Sequence, residues 1–300
     1  MRPRSGMPIA LASGVAAFIR MNVLGTGAIF PSDAALVMNA EGMGICLLFA
    51  IVGPAVAYIL TKLIYGSEDL FSKLPLHWMY WPAIGGIVVG IGGFVVPQVL
   101  GVGYNTIQGL MVGQIALSLA LKILIVKTII WAISLGSGTS GGILAPVLII
   151  GGTLGEIMGI FIHAPSPAAW SILGMASVFA AVTRSPFTAI LFLAELTHDM
   201  SMLLPLTISC TLASGMSALI LPRSILTEKI ARRNKLVSRD YSIDPLELCV
   251  LHDLTFEQPA IVQVDARMSE IVDRLAEEEN PVYKTGLFIV TKEERLTGSA

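Results

Sequence analysis

Residues 136–146 of this 300-residue chain read Gly-Ser-Gly-Thr-Ser-Gly-Gly-Ile-Leu-Ala-Pro and run straight into an apolar stretch. Glycine lets a backbone turn sharply and leaves its N–H groups uncovered by side chains. Proline suits the first turn of a helix, where its missing N–H would have had no partner. With Pro146 in that turn, the free amides of Gly142, Ile143 and Leu144 share the positive end of a helix dipole. Such a place can hold an anion with no fixed positive charge. A lysine would bind an anion too tightly for quick release, whereas conduction needs binding that is favourable yet weak. The same residues equally suit a plain glycine loop joining two spans, and the segment's own chemistry leaves both readings open.

The surrounding chain must place these residues inside a bilayer. Apolar residues make up 54% of the sequence and charged residues 13%, against about 25% charge in an ordinary soluble domain. Mean hydropathy is +0.78. No formally charged side chain lies between Lys127 and Glu156, nor between Glu156 and Arg184. A buried soluble helix bundle would still need charged outer faces. A polytopic membrane protein is therefore expected.

Apolar stretches cover roughly 8–20, 42–65, 79–100, 109–135, 143–162, 168–183, 186–197 and 202–221. Several fall short of the about 20 residues a full span needs, and Gly or Pro interrupts many. Pro82, Pro97, Pro146, Pro186 and Pro205 are each expected at or near an element edge. Short, broken helices meeting within a bilayer mark a transporter or channel site. Gly86 with Gly90, and Gly151 with Gly155 and Gly159, recur every four residues and are expected to line helix faces that pack closely. Met1-Arg2-Pro3-Arg4 has a basic start like a signal peptide, but no small-residue cleavage site leads into a soluble domain, so 8–20 is read as a membrane helix.

After Leu221 the character changes. Arg223, Lys229, Arg232, Arg233, Lys235 and Arg239 face only Glu228 before Asp240. The positive-inside rule places this flank, and the region after it, in the cytoplasm. From about Asp240 the chain reads as soluble: strands at 260–264 and 286–290, and a helix through Met268, Ile271, Val272 and Leu275.

Four segments in one order carry a family resemblance. Gly142-Ile143-Leu144-Ala145-Pro146 resembles the G-x-F-x-P selectivity-filter core of the CLC chloride channel and transporter family, with Leu144 where Phe is usual. Residues 179–197, from Phe179-Ala-Ala-Val-Thr-Arg-Ser-Pro to Glu195-Leu-Thr197, resemble its A-A-x-x-R-x-P…E-x-T helix pair. Pro97 to Tyr104 is similar to its P-x-x-x-G-x-G-Y turn, and residues 222–229 to its last, cytoplasm-directed helix. The tail more loosely resembles the start of a cystathionine-β-synthase (CBS) domain.

The resemblance implies an all-α, CLC-type inverted-repeat membrane domain over 1–236 with an incomplete first repeat. A cytoplasmic linker and partial α/β CBS-like domain would follow over 237–300. It implies chloride coordinated by the amides of Ile143 and Leu144 within the filter motif Gly142–Pro146, and one pore per subunit of a homodimer in a lipid bilayer. No metal, catalytic group, cofactor or nucleic-acid partner is implied; a CBS domain could take a nucleotide only in a paired site. Leu226 stands where many members place a tyrosine hydroxyl on the anion, and Gly25 and Thr26 stand near the place, after Arg20, where proton-coupled members carry a glutamate. These substitutions favour a passive, voltage-gated-type channel over a proton-coupled antiporter. The family's G-S-G-x-P and G-K/R-E-G-P motifs do not occur. The chain is therefore expected to be a fragment of a longer polypeptide, and a non-transporting fragment or assembly partner stands as a further alternative.

Single residues carry weaker expectations. Glu156 is read as a helix end reaching a water-filled vestibule, or as a proton-path acid. Lys122 and Lys127 either snorkel to an interface or raise the local anion concentration. Arg184 is read as structural or vestibule-lining. Cys46, Cys210 and Cys249 lack paired spacing and serve as small apolar filler, and His77, His163, His198 and His252 have no ligand spacing.

Overall fold

The computed structural model describes residues 6–23, 25–32, 34, 36–162, 166–221, 223–231, 261–263, 289–292 and 295–299. The chain divides into two compact units, Met1–Leu236 and Val237–Ala300.

The first unit is helical: α1 (Gly6–Val23), α2 (Ala40–Ser72), α3 (Trp81–Val95), α4 (Tyr104–Val112), α5 (Leu117–Gly136), α6 (Leu144–Phe161), α7 (Pro167–Thr183), α8 (Pro186–Thr197), α9 (Leu203–Ile220) and α10 (Ile225–Ala231). Among the described residues, six helical segments are long and apolar enough to cross a membrane. The prolines fall where the missing N–H does least harm: Pro82, Pro167 and Pro186 stand at the first positions of α3, α7 and α8. Pro54 is the exception, inside α2, a 33-residue helix about 50 Å long. The stretch read as one span over 109–135 is two helices, because Gly113 takes the left-handed conformation (φ 70°) that ends α4.

The centre of this unit is α7. Every residue from 168 to 182 is buried, with α6, α9, α2 and α4 around it. A helix apolar on all sides belongs in such a place. Its small residues let α6 approach backbone to backbone. A Cβ at Gly151 would stand 2.5 Å from the Gly174 carbonyl oxygen, and one at Gly155 would strike the Trp170 carbonyl. The expected close packing of Gly151, Gly155 and Gly159 is therefore present. Gly86 and Gly90 depart from expectation: a Cβ at either meets nothing within 4 Å. The packed face of α3 is one residue out of phase, with Gly85 against Ser137 and Gly92 against Ile130.

In the second unit, β1 (Ile261–Gln263), β2 (Ile289–Lys292) and β3 (Arg295–Ser299) form one sheet in that order. Ile261 pairs in parallel with Ile289, and β2 pairs antiparallel with β3 around an irregularity at Val290/Thr291. A parallel pair needs a crossover of about a dozen residues or more, which the chain between β1 and β2 can supply. The helix read through Met268, Ile271, Val272 and Leu275 lies outside the described residues.

Candidate anion site

α5 delivers the chain to the site, and its C-terminus is held by hydroxyls. Ser67 Oγ on α2 donates to the Ala132 carbonyl at 2.6 Å, and Ser137 Oγ donates to the Ser134 carbonyl at 2.7 Å. Gly136 is required by space, since a Cβ there would run into Ser67 Oγ. Gly138 is required by conformation, with φ 83°. Thr139 Oγ1 then donates back to the Ser134 carbonyl at 2.5 Å and closes the turn.

The segment leading into α6 faces outward. Gly138 and residues 140–142 are exposed, Ile143 is half-buried, and Leu144 is 38% exposed. Ile143 is the N-cap of α6, and the first bond of its ladder runs from Val147 N–H to the Ile143 carbonyl at 3.2 Å. The amides of Ile143, Leu144 and Ala145 therefore come before that ladder, and Pro146 has no N–H to leave unpaired. From Val147 the helix enters the core. Behind this turn, Trp131 Nε1 donates to the Gly142 carbonyl at 3.2 Å. This contact was not anticipated: a buried indole N–H seeks an acceptor, but no sequence spacing says which carbonyl lies in reach.

Leu226 lies on α10 and is 49% exposed. Its neighbour Ile225 is buried, and the Ile225 carbonyl accepts from Tyr65 Oη at 2.7 Å. α10 rests chiefly on α7.

Two single-residue readings are corrected. Lys127 neither snorkels nor faces a vestibule: it is 5% exposed, and its Nζ donates to the carbonyls of Val99 at 2.7 Å and Gly101 at 3.2 Å. The turn at Gly101 and Gly103, both with positive φ, points those oxygens at it. Glu156 does not reach water either. It is 1% exposed and accepts from Ser171 Oγ at 2.6 Å.

Arg184 is structural. It takes a left-handed conformation (φ 58°) that ends α7, and its Nη2 donates to the Ser217 carbonyl at 3.2 Å and to the Leu221 carbonyl, closing the C-terminus of α9. Cys46 and Cys210 are buried free thiols, whereas Cys249 lies outside the described residues. Near the N-terminus, Arg20 Nη2 donates to the Gly27 carbonyl at 2.7 Å, and Nη1 stands 3.9 Å from the Glu195 carboxylate.

Six long apolar helical segments, among them α5 and α6 joined by the glycine-rich turn at 137–143, are those of an integral membrane protein of helical type. The chain belongs to the voltage gated chloride channel (CLC) family, whose sequence profile matches residues 1–218. It is 30% identical over 191 residues to the voltage-gated ClC-type chloride channel ClcB of Salmonella typhimurium, covering 62% of this chain and 45% of that protein. It is also 30% identical over 174 residues to the H(+)/Cl(−) exchange transporter ClcA of Klebsiella pneumoniae, covering 55% of this chain and 36% of that protein. The crystal structure of a slow cyanobacterial Cl−/H+ antiporter superposes with a TM-score of 0.63 at 25% identity, covering 73% of this chain and 53% of that one. The chain thus spans less than half the length of these two curated relatives.

Proposed function

We propose that this chain forms part of a pathway moving chloride across a membrane, with the anion held by the backbone amides of Ile143 and Leu144. The observation that carries this reading is the exposed, hydroxyl-braced turn that opens α6 at those residues, in a chain of the chloride channel family. Leu144 in place of Phe changes the wall of the site and leaves both donors in place. Leu226 contributes no hydroxyl, so the amides would bear most of the binding.

We infer exchange against protons rather than passive conduction. The passive-channel expectation rested on Leu226 and on Gly25 and Thr26. Relatives named as exchangers, and a similar structure solved for an antiporter, support the coupled reading more strongly. Glu195 beside Arg20 supplies a carboxylate at the same corner of the unit. The homodimer, the cytoplasmic placement of residues after Leu221, and a CBS-like character for 237–300 belong to the same proposal. The parallel β1–β2 pair supports the last of these.

Reconstitution of the chain into chloride-loaded vesicles tests this directly, with chloride efflux and external pH followed together. Chloride efflux accompanied by opposed proton movement is expected. Efflux with no proton movement would return the reading to a passive channel. Absence of both flux and halide binding would leave the chain as a non-transporting partner.

A further inference from the structure

A peptide group is a rigid plane with its carbonyl and N–H on opposite sides when trans, as every peptide bond among the described residues is. The Gly142 carbonyl and the Ile143 N–H belong to one such plane. Whatever fixes the direction of the first therefore fixes the second. The Gly142 carbonyl is fixed by Trp131, a residue 11 positions earlier on α5 and only 6% exposed. With the oxygen turned towards the buried indole, the Ile143 N–H points away from it, towards the exposed side of the turn.

This direction needs a restraint. Gly142 has open space where a Cβ would be, and a glycine has few barriers against rotating the peptide that follows it. A rotated plane would present the Gly142 oxygen to the anion in place of the Ile143 N–H, turning an attraction into a repulsion. The indole bond selects against that state.

We propose that Trp131 is a positioning residue of the anion site, its indole N–H locking the Gly142 carbonyl inward so that the Ile143 amide faces the bound halide. The inference rests on the amide site proposed above. Trp131 does not touch the anion; it acts through one peptide plane.

The full chain carries four tryptophans, so ¹⁵N-indole labelling in lipid nanodiscs yields four N–H resonances. Single substitutions to Phe at Trp78, Trp81, Trp131 and Trp170 assign them, and three suffice by elimination if Trp131→Phe fails to fold. Titration with sodium chloride against sodium gluconate is expected to shift the Trp131 resonance saturably, because an anion on the Ile143 N–H polarises the bonded carbonyl of the same plane. Trp131→Phe is expected to weaken chloride binding, measured by calorimetry, roughly two- to tenfold, the range for one neutral hydrogen bond. The other three indole signals serve as the check on folding. Wild-type chloride affinity in a folded Trp131→Phe protein, or a Trp131 signal indifferent to saturating chloride, overturns the proposal and leaves the site intact. A wild-type chain that binds no chloride at all overturns the site itself and the proposal with it.

Discussion

Tyr65 and Ile225 lie 160 positions apart, yet the Tyr65 hydroxyl donates to the Ile225 carbonyl at 2.7 Å. This bond ties α2 to the first residue of α10. Both residues are buried, so removing the donor leaves the carbonyl short of its partner at a cost of about 1–3 kcal/mol. Tyr65→Phe should therefore loosen α10 with little effect on the remaining helices. Hydrogen exchange at residues 225–231 should quicken at least about fivefold. Unchanged exchange there would show that α10 is held by other contacts.

Gly155→Ala should be severe and Gly86→Ala mild, although both glycines sit in four-residue repeats. A Cβ at Gly155 meets the Trp170 carbonyl, whereas one at Gly86 meets nothing within 4 Å. Forcing backbone apart at the first site costs about 1–3 kcal/mol or more. Thermal unfolding of the purified variants in one detergent checks the contrast; equal melting temperatures would contradict it.

Ser171→Ala should destabilise the protein more than Glu156→Gln. The first removes the hydroxyl that donates to the Glu156 carboxylate, leaving a buried acid short of a donor at a cost of about 1.5–3 kcal/mol. The second keeps a carbonyl oxygen that the same hydroxyl can reach. Denaturant unfolding of the two variants gives the order, and the reverse order would show that the carboxylate has a partner more important than Ser171.

Leu226→Tyr should strengthen chloride binding roughly two- to tenfold by offering one more donor. Leu226 is half exposed and its side chain has room to grow. Calorimetric titration with chloride measures the change. No change would place Leu226 away from the anion.

The membrane class and most helix edges were legible because lipid imposes simple rules: long apolar runs, and prolines at starts. Where the reading went astray, a local pattern had to decide a question that distant residues settle. Periodicity could not find the break at Gly113, since the residues on both sides are equally apolar. Spacing marked Gly86 and Gly90, but only the position of α5 makes Gly85 and Gly92 the packed pair. Both readings of Lys127, at an interface or beside the anion path, put it near water because charge belongs there. The carbonyls of Val99 and Gly101 became its partners only once the turn had folded. At the site, the glycines and Pro146 announced the turn, whereas the Trp131 contact depends on how α5 is rotated.

The mutual contact of Gly151 and Gly174 has a mechanical meaning. Side chains can change rotamer and let two helices slide, but touching backbones have no such slack. α6 and α7 therefore travel as one plank, and the turn at Ile143 is fastened to its end. Relative movement of the helices falls instead to softer joints, such as the left-handed corners at Arg184 and His198 on either side of α8. The turn at Ile143, where the anion is proposed to bind, therefore keeps its place relative to α7.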